Sequence, residues 1–224
     1  MILVAGSANL DFVVQAAHIP APGETVLGRH FRTFPGGKGA NQAIASARAG
    51  GAPTAMLLAL GNDAFAAPLE ASLAAAGVRI HVVRADDEPT GTAFICVADD
   101  AQNAITVAPG ANNALRDFHL PPLDGFSHLL LQLETPLAAV KAYAHAARAR
   151  KVKVVLNAAP AQKLPRALLS LVDILIVNEA ELAVLAGPAG GIEQRLARID
   201  VPCVVVTLGA RGCCARVDGK VVSR

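Results

Sequence analysis

The chain has 224 residues, of which 53% are hydrophobic, 17% are charged and 4% are aromatic. This composition can bury a sizeable core, and it excludes an intrinsically disordered protein, which needs few apolar residues and a high net charge. The formal net charge is only +2 and no cluster of Lys and Arg stands out. Because a nucleic-acid-binding protein needs a basic face, we expect no nucleic-acid partner.

The mean hydropathy is positive, at +0.43, but the sequence does not support a membrane protein. Apolar runs such as Ala55–Leu60 and Ile174–Val177 are far shorter than the ~18 residues that a spanning helix needs. The chain begins with a strand-like run rather than the basic and long apolar regions of a signal peptide. The four cysteines have no CxxC spacing and are typical of small buried side chains in a reducing compartment. We therefore expect a cytoplasmic protein.

Short β-branched runs alternate along the chain with Ala- and Leu-rich stretches of helical spacing. The predicted strands are Ile2–Val4, Leu129–Leu133, Val152–Leu156, Ile174–Val177 and Cys203–Thr207. The predicted helices are Ala40–Ala49, Pro68–Ala76, Pro136–Arg150, Pro165–Leu171 and Glu179–Ala186. This alternation predicts an α/β fold with a central, mostly parallel sheet and helices on both faces. We expect residues 1–224 to form a single domain.

Two segments, at about 11–33 and 90–107, lack helical periodicity. The first holds several Pro and Gly, and the second reads as two strands, Thr92–Val97 and Ala104–Val107, joined by a turn. We predict that both contribute to a small β-lid standing off the main sheet, the alternative being an antiparallel edge of that sheet. Near the end, Cys213–Val217 and Lys220–Val222 flank an Asp-Gly pair that predicts a hairpin.

The densest candidate site is the stretch Phe34–Ala43, which has three glycines in four positions before an Ala-rich helix. Glycines let the backbone approach a ligand closely, and a helix N-terminus beside them offers free N–H groups and a positive dipole. Gly39 follows Lys38 where a Walker A loop has Ser or Thr, and the glycine spacing does not match GxGxxG. A simple helix cap is the alternative explanation.

Polar side chains also follow several predicted strands. Asn9 and Asp11 follow the first, where they can hydrogen-bond a polyol or merely close the strand with an Asx turn. The other groups are Gln132–Glu134, Asn157–Ala161, Asn178–Glu181 and Thr207–Gly212. Ligands of open α/β sheets bind at the carboxyl ends of the strands, so five polar groups along one rim predict a binding site. Asn178 is also a good helix N-cap.

Taken together, these motifs resemble the ribokinase/PfkB family of sugar kinases. The matching stretches occur in family order over the whole chain: Gly6–Asp11, Pro22–Thr25, Gly36–Ala43, Gly61–Asp63, Pro109–Asn112, Gln132–Glu134, Asn157–Ala161, Val177–Glu181 and Thr207–Gly212. The Gly-Gly-Lys-Gly-Ala-Asn run at 36–41 is the most specific of them. The resemblance implies ATP-dependent phosphorylation of D-ribose to D-ribose 5-phosphate.

The resemblance also implies roles for individual residues. The implied sugar-binding residues are Asn9, Asp11, Gly37, Lys38, Gly39, Asn41 and Glu134. The implied ATP-site residues are Asn178, Thr207, Gly209, Arg211 and Gly212. Glu181 resembles part of a network that holds Mg²⁺ and phosphate through water. The family further implies a β-lid that covers the sugar and a homodimer formed through that lid.

One family motif, Asp-Thr-x-Gly-Ala-Gly-Asp, does not occur in the sequence. In the family it carries the glycines of the anion hole and the Asp that deprotonates the sugar hydroxyl. By the resemblance, this base, the K⁺-binding loop and much of the adenine pocket would lie beyond Arg224. We therefore assign no catalytic residue, and we expect the 224-residue chain to be a fragment that is inactive alone.

Three other functions remain open at this point. The nearest is another kinase of the same family, acting on a nucleoside, a phosphofructose or a ketodeoxy sugar acid. The second is a catalytically inactive sugar-binding or regulatory protein. The third is a dinucleotide-binding oxidoreductase, which is disfavoured because no GxGxxG follows Ile2–Val4.

Overall fold

A computed structural model describes residues 1–223. The chain divides into two compact units. The N-terminal unit is Gly6–Leu115, and the C-terminal unit combines Met1–Ala5 with the chain from Arg116 onward. Each unit contains part of the predicted site.

The secondary structure alternates between strands and helices over most of the chain. The strands are β1 (Ile2–Ala5), β2 (Asn9–Ala16), β3 (Arg29–Gly36), β4 (Thr54–Gly61), β5 (Arg79–Ala85), β6 (Thr92–Ala98), β7 (Asn103–Ala108), β8 (His128–Leu131), β9 (Lys153–Asn157), β10 (Ile174–Asn178), β11 (Cys203–Thr207), β12 (Cys213–Val217) and β13 (Lys220–Ser223). The helices are α1 (Lys38–Gly50), α2 (Ala66–Ala75), α3 (Leu137–Ala149), α4 (Arg166–Leu169), α5 (Glu179–Ala186) and α6 (Ile192–Leu196).

The C-terminal unit is a mostly parallel sheet with helices packed against it. Its strand order is β13-β12-β11-β10-β9-β8-β1. The pairs from β1 to β11 are parallel, and β11, β12 and β13 pair antiparallel. Helix α3 packs on β8 and β9, and α5 packs on β10 and β11. The predicted α/β architecture with a mostly parallel sheet is therefore confirmed.

Burial patterns explain why these segments adopt their structures. In α3 the buried side chains Val140, Tyr143, Ala144 and Ala147 recur every three or four residues, which gives the helix one apolar face. In β11 the valines at 204 and 206 are fully buried and alternate with less buried neighbours, as expected of a strand. The two periodicities distinguish helix from strand in this apolar sequence.

The N-terminal unit contains a parallel pair and a separate four-stranded sheet. Strands β4 and β5 pair in parallel, with α1 packed on β4 and α2 on β5. The separate sheet has the order β3-β2-β6-β7, with a parallel β2–β6 pair between two antiparallel pairs. It is built from the two segments predicted to stand apart, so the alternative of an antiparallel edge of the main sheet is wrong. Its action as a lid stays a prediction.

Several boundaries differ from the sequence-based expectation. The Asp-Gly hairpin is confirmed, with positive φ angles of 46° at Asp218 and 82° at Gly219. Strands β4 and β5 were not predicted, and α4 is only four residues long. Helix α6 was also missed, because five residues are too few to show a helical period. Within residues 1–223, no helix has the length and apolar character needed to cross a bilayer.

Candidate functional site

Asn9 and Asp11 lie within β2 rather than in a loop after β1. They are two residues apart, so their side chains are on the same face of the sheet. Asn9 lies opposite Gly36 of β3, and Asp11 lies opposite Phe34. A Cβ atom at Gly36 would lie 2.1 Å from Oδ2 of Asp11, so the carboxylate rests directly against the backbone of the glycine-rich stretch. The family resemblance implied that Asp11 and the glycine-rich stretch bind the same sugar, but the strand was not predicted.

The glycines at the start of α1 are required by close backbone contacts. Gly37 has φ of 90°, and a Cβ there would lie 2.7 Å from both Cα of Ala8 and the backbone nitrogen of Asn9. A Cβ at Gly39 would lie 2.7 Å from the backbone nitrogen and oxygen of Ser7. The stretch from 36 to 39 is thus held against residues 6–9, which brings Lys38 and the exposed Asn41 to the same place as Asn9.

Ser7 occupies the N–H groups that the sequence predicted to be free at the start of α1. Its hydroxyl accepts a hydrogen bond from the N–H of Gly39 at 3.3 Å, and its carbonyl accepts one from Ala40 at 2.9 Å. The N–H of Asn41 is bonded to the carbonyl of Gly37. The prediction of free donors is therefore wrong for these three residues. This helix end contributes shape and side chains, and its first amides do not form an anion cradle.

Asn112 is a buried residue of this cluster to which sequence reasoning gave no role. Its amide nitrogen lies 2.8 Å from Oδ1 of Asn9, and its amide oxygen accepts a hydrogen bond from the N–H of Ala8 at 3.0 Å. Asn9 and Asn112 are 2% and 1% exposed, respectively. The only sequence signal was that Asn112 ends the Pro109–Asn112 stretch shared with the family.

In the C-terminal unit, polar residues stand at the carboxyl ends of neighbouring parallel strands. Asn157 ends β9, Asn178 ends β10 and Thr207 ends β11. Asn178 is in register with Thr207, and Asn157 is in register with Ile176, two residues before the end of β10. Glu134 follows β8 by three residues and is half-buried. These four residues therefore follow the ends of four adjacent strands, as the sequence predicted.

Asn178 and Glu181 form a reciprocal cap at the start of α5. Oδ1 of Asn178 accepts a hydrogen bond from the N–H of Glu181 at 2.8 Å, and Oε2 of Glu181 accepts one from the N–H of Asn178 at 2.7 Å. The predicted N-cap is confirmed. Glu181 is 7% exposed, so its carboxylate is held rigidly beside the strand end. Glu179, the first residue of α5, pairs with Arg211 at 2.5 Å.

The turn after β11 is open to solvent. The hydroxyl of Thr207 donates a hydrogen bond to the carbonyl of Val177 at 3.4 Å, and the N–H of Leu208 donates one to Gly212 at 2.8 Å. Gly209 and Gly212 have φ of 60° and 81°, and no atom lies within 4 Å of the Cβ position of Gly209. This tight, exposed turn therefore leaves room for a ligand against its backbone.

A carboxylate with three hydrogen-bond donors lies at the other end of these strands. Asp173 precedes β10 and accepts hydrogen bonds from Arg148, Lys153 and the N–H of Val154 at 2.8–3.2 Å. Burial by itself would raise the pKa of Asp173, but these three donors together lower that pKa below its ordinary value. Asp173 therefore belongs to the amino ends of the strands and not to the candidate site.

Comparison with known proteins matches residues 1–223 to the pfkB family carbohydrate kinase. The chain is 38% identical to a ribokinase of Haemophilus influenzae, over 98% of this chain and 75% of that protein. It is similar to the crystal structure of ribokinase from Thermotoga maritima, with a TM-score of 0.88, 31% identity and coverage of 100% and 76% of the two chains. It is also similar to ribokinase of Arabidopsis thaliana complexed with ribose and ATP, with a TM-score of 0.86, 32% identity and coverage of 100% and 77%.

Proposed function

The chain belongs to the pfkB family of carbohydrate kinases, and on this basis we propose that it transfers the γ-phosphoryl group of ATP to D-ribose, giving D-ribose 5-phosphate. One observation carries the choice of a sugar: Asn9 and Asp11 share one face of β2, against the glycine-rich start of α1. The similarity to ribokinases, one of them complexed with ribose and ATP, supports ribose as that sugar.

The N-terminal unit supplies groups suited to a neutral polyol. The carboxylate of Asp11 only accepts hydrogen bonds and can take them from two hydroxyl groups. Lys38 and Asn41 add donors, and Gly37 and Gly39 let the sugar approach the backbone. We assign Glu134 of the C-terminal unit to the sugar as well. Phosphoryl transfer depends mainly on positioning, so fixed contacts to the hydroxyls orient the acceptor oxygen.

The C-terminal unit supplies the groups that we assign to ATP: Asn178, Thr207, Gly209, Arg211 and Gly212. Thr207 and Arg211 are exposed on the turn after β11, where a hydroxyl and a guanidinium can both contact phosphate oxygens. Gly209 leaves the backbone of the turn accessible. The ion pair between Arg211 and Glu179 is itself exposed and contributes little free energy, so the guanidinium can leave Glu179 and bind a phosphate.

Mg²⁺ is the metal that this reaction requires, and the donors present are compatible with it. Among the described residues no group of three or more His, Cys, Asp or Glu side chains could hold a metal. Mg²⁺ usually keeps several waters and is held by one or two carboxylates together with substrate phosphates, so such a group is not needed. Glu181 is the residue we assign to this role, through water. When bound, the ion would neutralise charge on the phosphates.

The small four-stranded sheet has a proposed role in both substrate covering and dimer formation. We propose that the sheet β3-β2-β6-β7 acts as a lid over the sugar and pairs with that of a second copy. Its exposed apolar side chains, Phe31, Phe94 and Ile105, support a partner surface. We also propose K⁺ dependence and a cytoplasmic location. Light scattering tests the pairing of two copies, and activity assays with and without K⁺ test the K⁺ dependence.

The direct test is a panel of sugars and nucleosides, assayed for binding and for ATP-dependent phosphorylation. We expect ribose to bind most tightly, and Asp11→Asn to abolish sugar binding while ATP binding is retained. Asp124→Asn is the matched control, because Asp124 is an exposed carboxylate of the other unit. Preference for another sugar or a nucleoside would replace ribose, and failure to bind any sugar would overturn the proposal.

A further inference from the structure

The buried amide of Asn112 determines which atom of Asn9 remains available for a ligand. We infer that Asn112 is a positioning residue: it fixes Asn9 so that the sugar meets an N–H donor there and not an acceptor. This inference rests on the proposed function, since it assumes that Asn9 contacts the sugar. The inference is based on a series of hydrogen bonds. The backbone determines the orientation of the Asn112 amide, and Asn112 determines the orientation of the Asn9 amide.

The backbone sets the orientation of Asn112. The N–H of Ala8 can only donate, so the atom of Asn112 that lies 3.0 Å from it must be the amide oxygen. The carbonyls of Pro109 and Ala8 can only accept, so the atom that lies 2.9 Å and 3.2 Å from them must be the amide nitrogen. A flipped Asn112 would place oxygen against oxygen and nitrogen against an N–H, which would break all three contacts.

Asn112 in turn sets the orientation of Asn9. The nitrogen of Asn112 lies 2.8 Å from the side chain of Asn9, which must therefore turn its oxygen, Oδ1, towards it. The other terminal atom of Asn9 is then Nδ2, a donor. No residue in the range 1–223 accepts a hydrogen bond from that nitrogen, although Asn9 is only 2% exposed. This nitrogen is not fully enclosed, so the exposed 2% of Asn9 leaves it accessible to a ligand oxygen.

Close packing prevents the pair from rearranging. A Cβ atom at Gly91 would lie 2.4 Å from Oδ1 of Asn9 and 2.2 Å from the nitrogen of Asn112. The backbone of residue 91 therefore lies directly against the hydrogen bond between the two amides. Because Asn9 and Asn112 are both buried and confined in this way, the orientation of Asn9 is fixed before any sugar binds.

The fixed donor has a consequence for the choice of substrate. Asp11 lies on the same face of β2, about 6.6 Å along the strand from Asn9. Its carboxylate offers only acceptors, whereas Asn9 offers a donor. Neighbouring hydroxyl groups of one sugar satisfy both, because a hydroxyl donates as well as accepts. A deoxy sugar without the hydroxyl at Asn9 would cover this donor without accepting its hydrogen bond, so the site should select against that sugar.

A double-mutant cycle tests the inference. We expect Asn112→Ala to weaken ribose binding about tenfold, in the range for one lost hydrogen bond, and to leave ATP binding unchanged. In an Asn9→Ala background, Asn112→Ala should have no further effect on ribose affinity, although it should still lower the melting temperature. Thr54→Val is the matched control: it also removes a hydrogen bond of a buried side chain in the N-terminal unit, from Thr54 to Ala52, and should lower stability without changing ribose affinity.

A second variant keeps the test informative if Asn112→Ala fails to fold. Asn9→Asp preserves the acceptor that Asn112 needs but presents oxygen to the sugar in place of N–H. We expect it to fold and to bind ribose at least tenfold more weakly, again by the scale of one hydrogen bond. Unchanged ribose affinity in Asn9→Asp, or an equal effect of Asn112→Ala in both backgrounds, would overturn the inference.

Failure of the proposed function gives a different result. If the wild-type chain binds no ribose, NMR of the asparagine side-chain amides still tests the hydrogen-bonded pair. The amide protons of Asn112 should exchange slowly with solvent, and the Asn9 resonance should move in Asn112→Ala but not in Thr54→Val. Fast exchange at Asn112 would disprove the fixed orientation itself, whatever the substrate.

Discussion

The two clusters of candidate site residues differ in how their surroundings hold them. In the N-terminal unit, Asn9 is buried, and the glycines at 37 and 39 touch the backbone of residues 7–9 so closely that no Cβ would fit. In the C-terminal unit, Thr207 and Arg211 are exposed on a turn, and Gly209 has open space around its Cβ position. The first cluster is fixed by packing, whereas the second is presented on a solvent-exposed scaffold.

This difference predicts which substitutions each unit tolerates. Substitutions in the N-terminal cluster should affect folding and ligand binding together, because the same close contacts do both. Substitutions in the turn after β11 should separate the two, because little of the fold depends on these side chains. Substitutions of Gly37, Gly209 and Arg211 test this contrast, and a substitution of Asp173 gives a reference away from both clusters.

Gly37→Ala should be the most destabilising of these changes. The new Cβ would collide with the backbone of Ala8 and Asn9 at 2.7 Å, and φ of 90° strains any residue other than glycine. We expect a loss of about 3 kcal/mol or more in the free energy of unfolding, the sum of overpacking and backbone strain. Urea denaturation measures this loss. A shift below about 1 kcal/mol, the cost of moderate strain alone, would show that residues 8 and 9 can move aside.

Asp173→Asn should lower stability by about 2 kcal/mol at neutral pH, because it weakens the hydrogen bonds of a buried carboxylate to Arg148 and Lys153. The pKa of Asp173 is lower in the folded chain than its ordinary value of 3.8. Its stabilisation is therefore present above pH 3.8 and is lost as the pH falls through the folded-state pKa. We expect the acid-induced loss of stability to be smaller in Asp173→Asn than in the wild type, as followed by circular dichroism. Parallel acid curves would contradict this.

Gly209→Ala is the matched counterpart of Gly37→Ala in the other unit. Its φ of 60° carries a backbone penalty, but no neighbouring atom opposes the new methyl group. We expect a loss of only about 1 kcal/mol, the cost of a left-handed conformation in an L-residue. ATP affinity should fall more visibly than stability, because the methyl group covers the exposed backbone of the turn. Equal losses in Gly37→Ala and Gly209→Ala would remove the contrast between the clusters.

Arg211→Ala should have the smallest effect on stability. Its ion pair with Glu179 is exposed on both sides, and such pairs contribute about 0.5 kcal/mol or less. We expect an unchanged urea midpoint and a severalfold weaker affinity for ATP, measured by titration calorimetry. A lower urea midpoint together with weaker ATP binding would mean that the fold of the turn depends on this ion pair. Unchanged ATP affinity would show that Arg211 is not part of the nucleotide site.

Strands, strand-end residues and the glycine-rich stretch could be predicted from local sequence patterns. The strands β9, β10 and β11 were found because each contains a short run of β-branched residues, and Asn178 was recognised as both a strand-end residue and an N-cap. The stretch 36–41 was located because three glycines in four positions are rare. Each of these signals lies within a few neighbouring residues, where the sequence can be interpreted without knowing the fold.

The contacts that could not be predicted join residues distant in sequence. Ser7 reaches the amides of Gly39 and Ala40 across 32 residues or more, and Asn112 reaches Ala8 and Asn9 across more than 100. Nothing in the local sequence around position 112 shows which backbone groups it will meet. Strand β4 was missed for a local reason, because all eight of its residues are buried and periodicity cannot distinguish such an apolar run from a buried helix.

The close approach of residues 6–8 to residues 37–39 also limits how the sequence can drift. A side chain added at Gly37 or Gly39 needs space that Ser7 and Ala8 already fill, so it becomes acceptable only after a compensating change in the other segment. The two segments therefore form an epistatic pair, in which the order of substitutions decides whether each is neutral or harmful. Efforts to broaden the sugar range by random mutagenesis should vary both segments at once.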